Sequence, residues 1–203
     1  FLSDDECSFI QSQAEPSMRY SEVTLMDHDK GRPASDFRTS QTTFLRSNSP
    51  ELKEIDQRTA ALVRIPASHQ EHVQVLRYGN TEKYDTHHDY FDPRLYQQDK
   101  RTLALIQNGK RNRMATVFWY LSDVAEGGET VFPRVDKGPK PTSGKAFDGG
   151  LRVKPERGKV IIFYSMTPDG KLDEYSLHGA APVKEGIKWA ANKWVWNMPR
   201  SRQ

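Results

Sequence analysis

Tyr84-Asp85-Thr86-His87-His88-Asp89 sets an imidazole and a carboxylate two positions apart. On an extended strand, residues i and i+2 project from the same face, so His87 and Asp89 can converge on one point while His88 points away. A His-x-Asp pair is weak evidence by itself. It gains weight from a second imidazole far along the chain, in Ser176-Leu177-His178-Gly179. Two imidazoles and one carboxylate form a facial ligand set that suits a ferrous ion and leaves three coordination positions open. Those positions matter chemically, because a 2-oxo acid chelates through two of them and leaves the third for O2.

Such a co-substrate carries a distal carboxylate that needs a cation in a closed pocket. Lys188 follows His178 by ten residues, enough to leave one strand, turn and reach the pocket from its neighbour. A compact ammonium neutralises that carboxylate, and the hydroxyls of Thr130 and Tyr78 complete its hydrogen bonds. Without that spacing, Lys188 reads as a solvated surface lysine.

The elements that must position these groups are legible in part. Ser3 with Glu6 three residues on is a capping box ahead of Phe9 and Ile10. Ser49-Pro50-Glu51 gives a cap, a proline at the first helical position and an acid in the first turn. Leu52, Ile55, Thr59, Leu62 and Val63 then recur at helical spacing until Pro66. From His72 the texture changes to short β-type runs: His72–Tyr78, Ala115–Leu121, Thr130–Phe132, Leu151–Lys154, Lys159–Tyr164 and Trp189–Asn197. The turn Pro155-Glu156-Arg157-Gly158 predicts a hairpin between two of them. Many short strands behind two helices predict a jelly roll or sandwich with a helical buttress, as one domain over residues 1–203. Asp29–Phe37 and Gly138–Gly150 are irregular stretches that read either as lids or as plain surface loops.

Composition narrows the remaining classes. The 203 residues are 35% hydrophobic and 28% charged, with a net charge of +3, which is too mild to imply nucleic acid. The longest apolar run, Val160-Ile161-Ile162-Phe163-Tyr164, is strand-sized, and mean hydropathy is -0.80, so no spanning helix is expected. With 4 Trp, 8 Tyr and 9 Phe the chain has a core to bury and is not disordered. Cys7 is the only cysteine; it excludes an intrachain disulfide or a cysteine zinc site and reads as a buried helix residue. His69-x-x-His72 reads as solvated rather than metal-binding. Lys110-Arg111-x-Arg113 lacks the interleaved aromatics of a nucleic-acid patch.

Several segments together resemble a known family. They are Phe1-Leu2-Ser3, Arg38-Thr39-Ser40, Tyr84-x-x-His87-x-Asp89, Ala115-Thr116-x-Phe118-x-Tyr120-Leu121, Gly127-Gly128-Glu129-Thr130-Val131-Phe132-Pro133 and Ser176-Leu177-His178-Gly179-Ala180-Ala181-Pro182-Val183, with Lys188-Trp189 and Lys193-Trp194. Over nearly its whole length the chain resembles the 2-oxoglutarate- and Fe(II)-dependent prolyl 4-hydroxylases, most closely the plant and algal type. The resemblance implies a mainly β fold with flanking helices around a double-stranded β-helix, a jelly-roll variant. It implies His87, Asp89 and His178 as iron ligands, Lys188, Thr130 and Tyr78 as partners of 2-oxoglutarate, and Tyr84, Arg113, Trp194 and Arg38 as contacts to a peptide.

The implied reaction hydroxylates C4 of a peptidyl proline and turns 2-oxoglutarate and O2 into succinate and CO2, with ascorbate as an accessory. A proline-rich substrate suits aromatic side chains, because it is already extended as polyproline II and docks at low entropic cost. For Tyr84 and Trp194 the alternative is a plain core aromatic. Two rival functions are an oxygenase acting on a non-proline target and a non-catalytic jelly-roll module for proline-rich peptides. The resemblance also implies residence in the endoplasmic reticulum, with an N-terminal anchor before Phe1 and no membrane contact by this domain. Ala181, and a position near Ala146, stand where secretory relatives often carry cysteine, which leaves a cytoplasmic setting open. Trp196 stands where the algal type often has His, and Asp92–Asn112 is a long stretch placed to cover a substrate.

Overall fold

The computed structural model describes residues 1–135, 147 and 149–200. Twelve strands lie among these residues: β1 (Arg19–Tyr20), β2 (Gln41–Leu45), β3 (Val73–Tyr78), β4 (Tyr84–His87), β5 (Arg113–Tyr120), β6 (Glu126–Gly127), β7 (Thr130–Phe132), β8 (Leu151–Val153), β9 (Val160–Tyr164), β10 (His178–Ala180), β11 (Val183–Glu185) and β12 (Lys188–Trp196). The major sheet runs β1-β2-β3-β12-β5-β9 and the minor sheet β4-β10-β7-β8, with β11 and β6 forming a small ribbon. All these pairings are antiparallel. The result is a mostly β jelly roll with helices on one outer face.

Strand alternation explains the layering. On β5, Ala115, Val117 and Trp119 face a core shared with the helices, while Phe118 and Tyr120 face the space between the sheets. The helix-side core joins Cys7, Ile10 and Ala14 of α1 (Asp4–Ala14) and Leu52, Ile55 and Val63 of α2 (Pro50–Val63) to the outer face of the major sheet. Cutting fully buried Ile10 or Ile55 back to Ala would cost about 2–5 kcal/mol. Lys193 of β12 is buried on this side too, and its ammonium meets Asp56 of α2 at 2.5 Å.

Both helix starts follow the sequence signals. Ser3 accepts from the Glu6 amide while the Glu6 carboxylate accepts from the Ser3 amide, and the Ser49 hydroxyl accepts from the Leu52 amide. α2 ends at Arg64, which is left-handed at φ 56, before Pro66 is reached. Leu62 departs from the expected apolar stripe, being 43% exposed, because Leu52, Ile55, Thr59 and Val63 already fill the buried face. A third helix, α3 (Lys100–Leu105), lies inside the long Asp92–Asn112 stretch. That stretch is pinned by a core of Phe91, Tyr96, Ile106 and Trp196.

The expected hairpin at 155–158 is not one. The turn exists, but β8 pairs with β7 in the minor sheet and β9 pairs with β5 in the major sheet. The turn carries the chain across the sandwich. It is fastened there by Arg157, which bonds to the Leu121 carbonyl and to Asp4 and Ser8 of α1, and by the Leu2 amide donating to the Gly158 carbonyl. Gly158 has φ +79, and an added Cβ would sit 2.6 Å from the Leu2 carbonyl oxygen, so this corner admits no side chain.

The other expectations fare as follows. Asp29–Phe37 follows a short 3-10 turn at Asp27–Asp29, contains another at Ala34–Asp36, and is braced by Arg32 paired with Asp29 and Asp36. Most of Gly138–Gly150, including Ala146, lies outside the described residues. Cys7 is fully buried in α1. Among the described residues no helix is long and apolar enough to cross a membrane. His72 is exposed as expected, but His69 is half-buried with Nδ1 2.8 Å from the Trp196 carbonyl, because the turn before β3 tucks against the end of β12.

Candidate active site

His87 closes β4, Asp89 sits in the bend just after it, and His178 opens β10, which pairs with β4 at His178 opposite His87. His87 Nε2 lies 3.6 Å from Asp89 Oδ1, and His178 Nε2 lies 3.6 Å from Asp89 Oδ2. One ligand atom from each of the three residues falls within 4.8 Å of the others. His88 turns away, stacked on Tyr90 with Nε2 3.3 Å from the Glu174 carbonyl.

The surroundings prepare these donors for a cation. His87 Nδ1 is 2.8 Å from the Asp85 carbonyl and His178 Nδ1 is 2.9 Å from the Ser176 carbonyl. A carbonyl only accepts, so both Nδ1 atoms carry a proton and each ring turns its Nε2 toward Asp89. Burial pushes the His178 imidazole down to about 4 against the pull of Asp89, so it is neutral at pH 7. Burial alone would raise the Asp89 carboxyl, but His178, His87 and Arg113 outweigh it and hold the group well below the usual carboxylate range. Asp89 Oδ2 also accepts from Thr116 Oγ1 at 2.6 Å. Two imidazole Nε2 atoms beside a buried carboxylate fit a ferrous ion.

Lys188 is fully buried, yet among the described residues no carboxylate lies within 4.0 Å of its ammonium. Its Nζ donates to the Gly128 carbonyl at 2.7 Å and lies 5.2 Å from the Tyr78 ring centre, 5.5 Å from that of Phe118 and 5.7 Å from that of Tyr120. Burial pushes the ammonium down to about 7, opposed only by Glu129. A cation held this way lacks an anionic partner among the described residues. Lys188 opens β12 in the major sheet, so it approaches across the sandwich rather than from a strand adjacent to His178, as the spacing had suggested. It stands one layer behind the cavity wall, which Tyr78, Phe118 and Thr130 line. Thr130 Oγ1 accepts from the Tyr120 hydroxyl at 2.6 Å.

A cavity of about 520 Å³ opens from the cluster and is also lined by Arg38, Tyr84, Arg113 and Trp194. The Tyr84 ring stacks on His87 with centroids 3.7 Å apart, and the Arg38 guanidinium lies over the same ring at 4.6 Å from its centre. Arg38 is 5% exposed, donates through Nε to Ser40, and keeps Nη2 without a partner. Arg113 lies over Trp194 at 3.4 Å and is gripped by Glu71 through Nε at 2.7 Å and Nη2 at 3.2 Å. Glu71 also accepts from the Trp196 indole at 2.7 Å. Tyr84 and Trp194 are therefore cavity-lining aromatics, not plain core.

Sequence reasoning missed Thr116, Tyr120 and Glu71. The first two were readable as the same-face series Thr116, Phe118, Tyr120 on β5. Glu71 gives no local signal, since 42 positions separate it from Arg113. Lys110, Arg111 and Arg113 do not act as one basic patch: Arg111 covers the Trp196 ring at 4.7 Å while Arg113 faces the cavity.

Residues 73–196 match the family model described as the 2OG-Fe(II) oxygenase superfamily. Among curated proteins the chain is 41% identical over 202 residues to probable prolyl 4-hydroxylase 3 and 38% identical over 198 residues to prolyl 4-hydroxylase 1, both of Arabidopsis thaliana. Each alignment covers 96% of this chain and 66% of the relative, so the chain spans about two thirds of the length of these relatives. Among solved structures it is similar to the viral collagen prolyl hydroxylase of Paramecium Bursaria Chlorella virus-1 in its 2OG complex, with TM-score 0.66, 26% identity, and coverage of 97% of this chain and 92% of the other. A Pseudomonas putida prolyl-4-hydroxylase shares the fold at TM-score 0.57 and 18% identity, covering 99% and 90% of the two chains. By its sequence match and by the cluster at its centre, the chain belongs to the 2OG-Fe(II) oxygenase superfamily.

Proposed function

We propose that this chain is a peptidyl-proline 4-hydroxylase that consumes O2 and 2-oxoglutarate and releases succinate and CO2. The observation that carries the reading is the His87–Asp89–His178 cluster together with a buried Lys188 that has no carboxylate within 4.0 Å among the described residues. Bound Fe(II) supplies the redox chemistry, in which one oxygen atom of O2 enters succinate and the other enters the proline C4–H bond. His87, Asp89 and His178 hold the ion through their Nε2 and carboxylate atoms. Lys188 neutralises the C5 carboxylate of 2-oxoglutarate, with Thr130 and Tyr78 as hydroxyl partners in a wall that excludes water.

Arg38, Tyr84, Arg113 and Trp194 orient the peptide. The guanidinium groups of Arg38 and Arg113, which line the cavity, suit the carbonyls that a polyproline II chain leaves free. Proline as the target is supported by the relatives, which are called prolyl 4-hydroxylases, and by the aromatic lining. That lining speaks against a non-proline target, and the intact cluster and lysine speak against a non-catalytic peptide module. Ascorbate as accessory reductant and residence in the endoplasmic reticulum belong to the same reading and rest on family resemblance alone.

The test is mass spectrometry of poly-proline, Pro-Pro-Gly and Ser-Pro repeat peptides after incubation with protein, Fe(II), 2-oxoglutarate and ascorbate, beside a His87→Ala control. Addition of one oxygen to proline, lost in the control, is the expected result. Metal-dependent succinate release with every peptide unmodified would move the target away from proline. Neither signal from folded, iron-loaded protein would leave the peptide-binding module.

A further inference from the structure

The floor of the cavity continues beyond the residues assigned so far. Phe44 of β2, Gln74 of β3, Asn192 of β12 and Phe118 of β5 lie in register across four adjacent strands, and all four line the cavity that holds the His-Asp-His cluster. Gln74, Asn192 and Phe118 are buried, whereas Phe44 is 52% exposed. The row therefore leads outward from the cluster to an open aromatic side chain.

Asn192 Nδ2 donates to Gln74 Oε1 at 3.0 Å. Among the described residues that bond leaves the Gln74 amide N–H groups and Asn192 Oδ1 without protein partners. One buried pair thus offers the cavity both donors and an acceptor. A proline-rich chain has free carbonyls at every residue and an N–H only where proline is absent, so the pair can serve both.

The spacing matches the same ligand. Neighbouring strands stand about 4.8 Å apart, which puts Phe44 about 9.6 Å from Asn192 across β3. One three-residue turn of polyproline II advances about 9.3 Å. A chain crossing these strands with one face over Asn192 therefore brings its next equivalent face over Phe44.

We propose that Gln74, Asn192 and Phe44 form an extended substrate subsite, which grips a polyproline II chain by its backbone at the amide pair and one helical turn further out by ring stacking on Phe44. This rests on the reading of the chain as a prolyl hydroxylase and adds a length requirement to it: the substrate continues past the reacting proline on the β2 side. Phe44 acts through binding alone and has no part in the chemistry.

The experiment compares wild type, Phe44→Ala and Phe44→Trp on a four-residue and a ten-residue proline-rich peptide. Phe44→Ala is expected to raise KM for the long peptide about five- to tenfold, with kcat and the short-peptide KM unchanged, and Phe44→Trp to restore it. Turnover by wild type with equal long-peptide KM in Phe44→Ala overturns the subsite and leaves the reaction standing. Calorimetric titration of the long peptide reads the subsite without turnover. A fivefold loss of affinity in Phe44→Ala supports it even if proline is not the residue oxidised, and equal affinities overturn it.

Discussion

The ammonium of Lys188 bonds to the carbonyl of Gly128 at 2.7 Å, and that neutral acceptor is its only hydrogen-bond partner among the described residues. A buried cation satisfied by one dipole is unstable until an anion arrives, and this gives the co-substrate a protonic signature.

With its ammonium pushed down to about 7, the folded protein releases this proton more readily than the unfolded chain, whose lysine titrates near 10.4. Between about pH 7 and 10 the unfolded state binds more protons, so the Lys188 penalty on the ligand-free protein is present below pH 7 and relieved as pH rises through that window. Binding of 2-oxoglutarate above pH 7 should then take up a proton, visible in calorimetry as a heat that depends on the buffer's ionisation enthalpy. Lys188→Met should raise the melting temperature of the ligand-free protein while weakening 2-oxoglutarate binding about a hundredfold. A variant that loses stability and affinity together would point to a structural lysine.

Thr116→Val removes the hydroxyl that donates to Asp89 Oδ2 and conserves volume. Fe(II) affinity should fall by about ten- to a hundredfold, as for other groups that orient a metal ligand, with the melting temperature of the metal-free protein little changed. Competition against a chromophoric chelator measures it, and an unchanged affinity would show that Asp89 is oriented by its backbone alone.

Glu71→Gln leaves the partly buried Arg113 guanidinium without its carboxylate, which should cost about 1–3 kcal/mol by denaturant unfolding. Burial would by itself raise the Glu71 carboxyl, but Arg113 and Trp196 hold it below its ordinary value. Its stabilisation is therefore present above the unfolded value of about 4.3 and lost as pH falls through the lower folded one. The peptide KM should rise about tenfold with the 2-oxoglutarate KM unchanged, because Arg113 lies over Trp194 and away from Lys188.

What the sequence revealed follows from how local each signal is. The Ser3–Glu6 box and the Ser49-Pro50 start are complete within four residues, and both helices begin where those residues predict. The strands bearing the cluster, β4 and β10, are four and three residues long, too short for periodicity to register; only their histidines and acid marked them. The turn at 155–158 was visible as a turn, but nothing local to it says that its two flanking strands join different sheets. Glu71 and Lys188 were harder still. One lies 42 residues from its partner, and the other reaches the site from the opposite sheet.

Two polar links across the sandwich start from β5: Thr116 reaches Asp89, beyond the end of β4, and Tyr120 reaches Thr130 of β7. These residues lie four apart on one face, so a slip of β5 by a single position would turn Val117 and Trp119 inward and break both links at once. The metal-holding half and the carboxylate-holding half of the site thus share one keel. Substitutions that shift this strand should disturb both together, whereas an exchange confined to one link retunes one half alone.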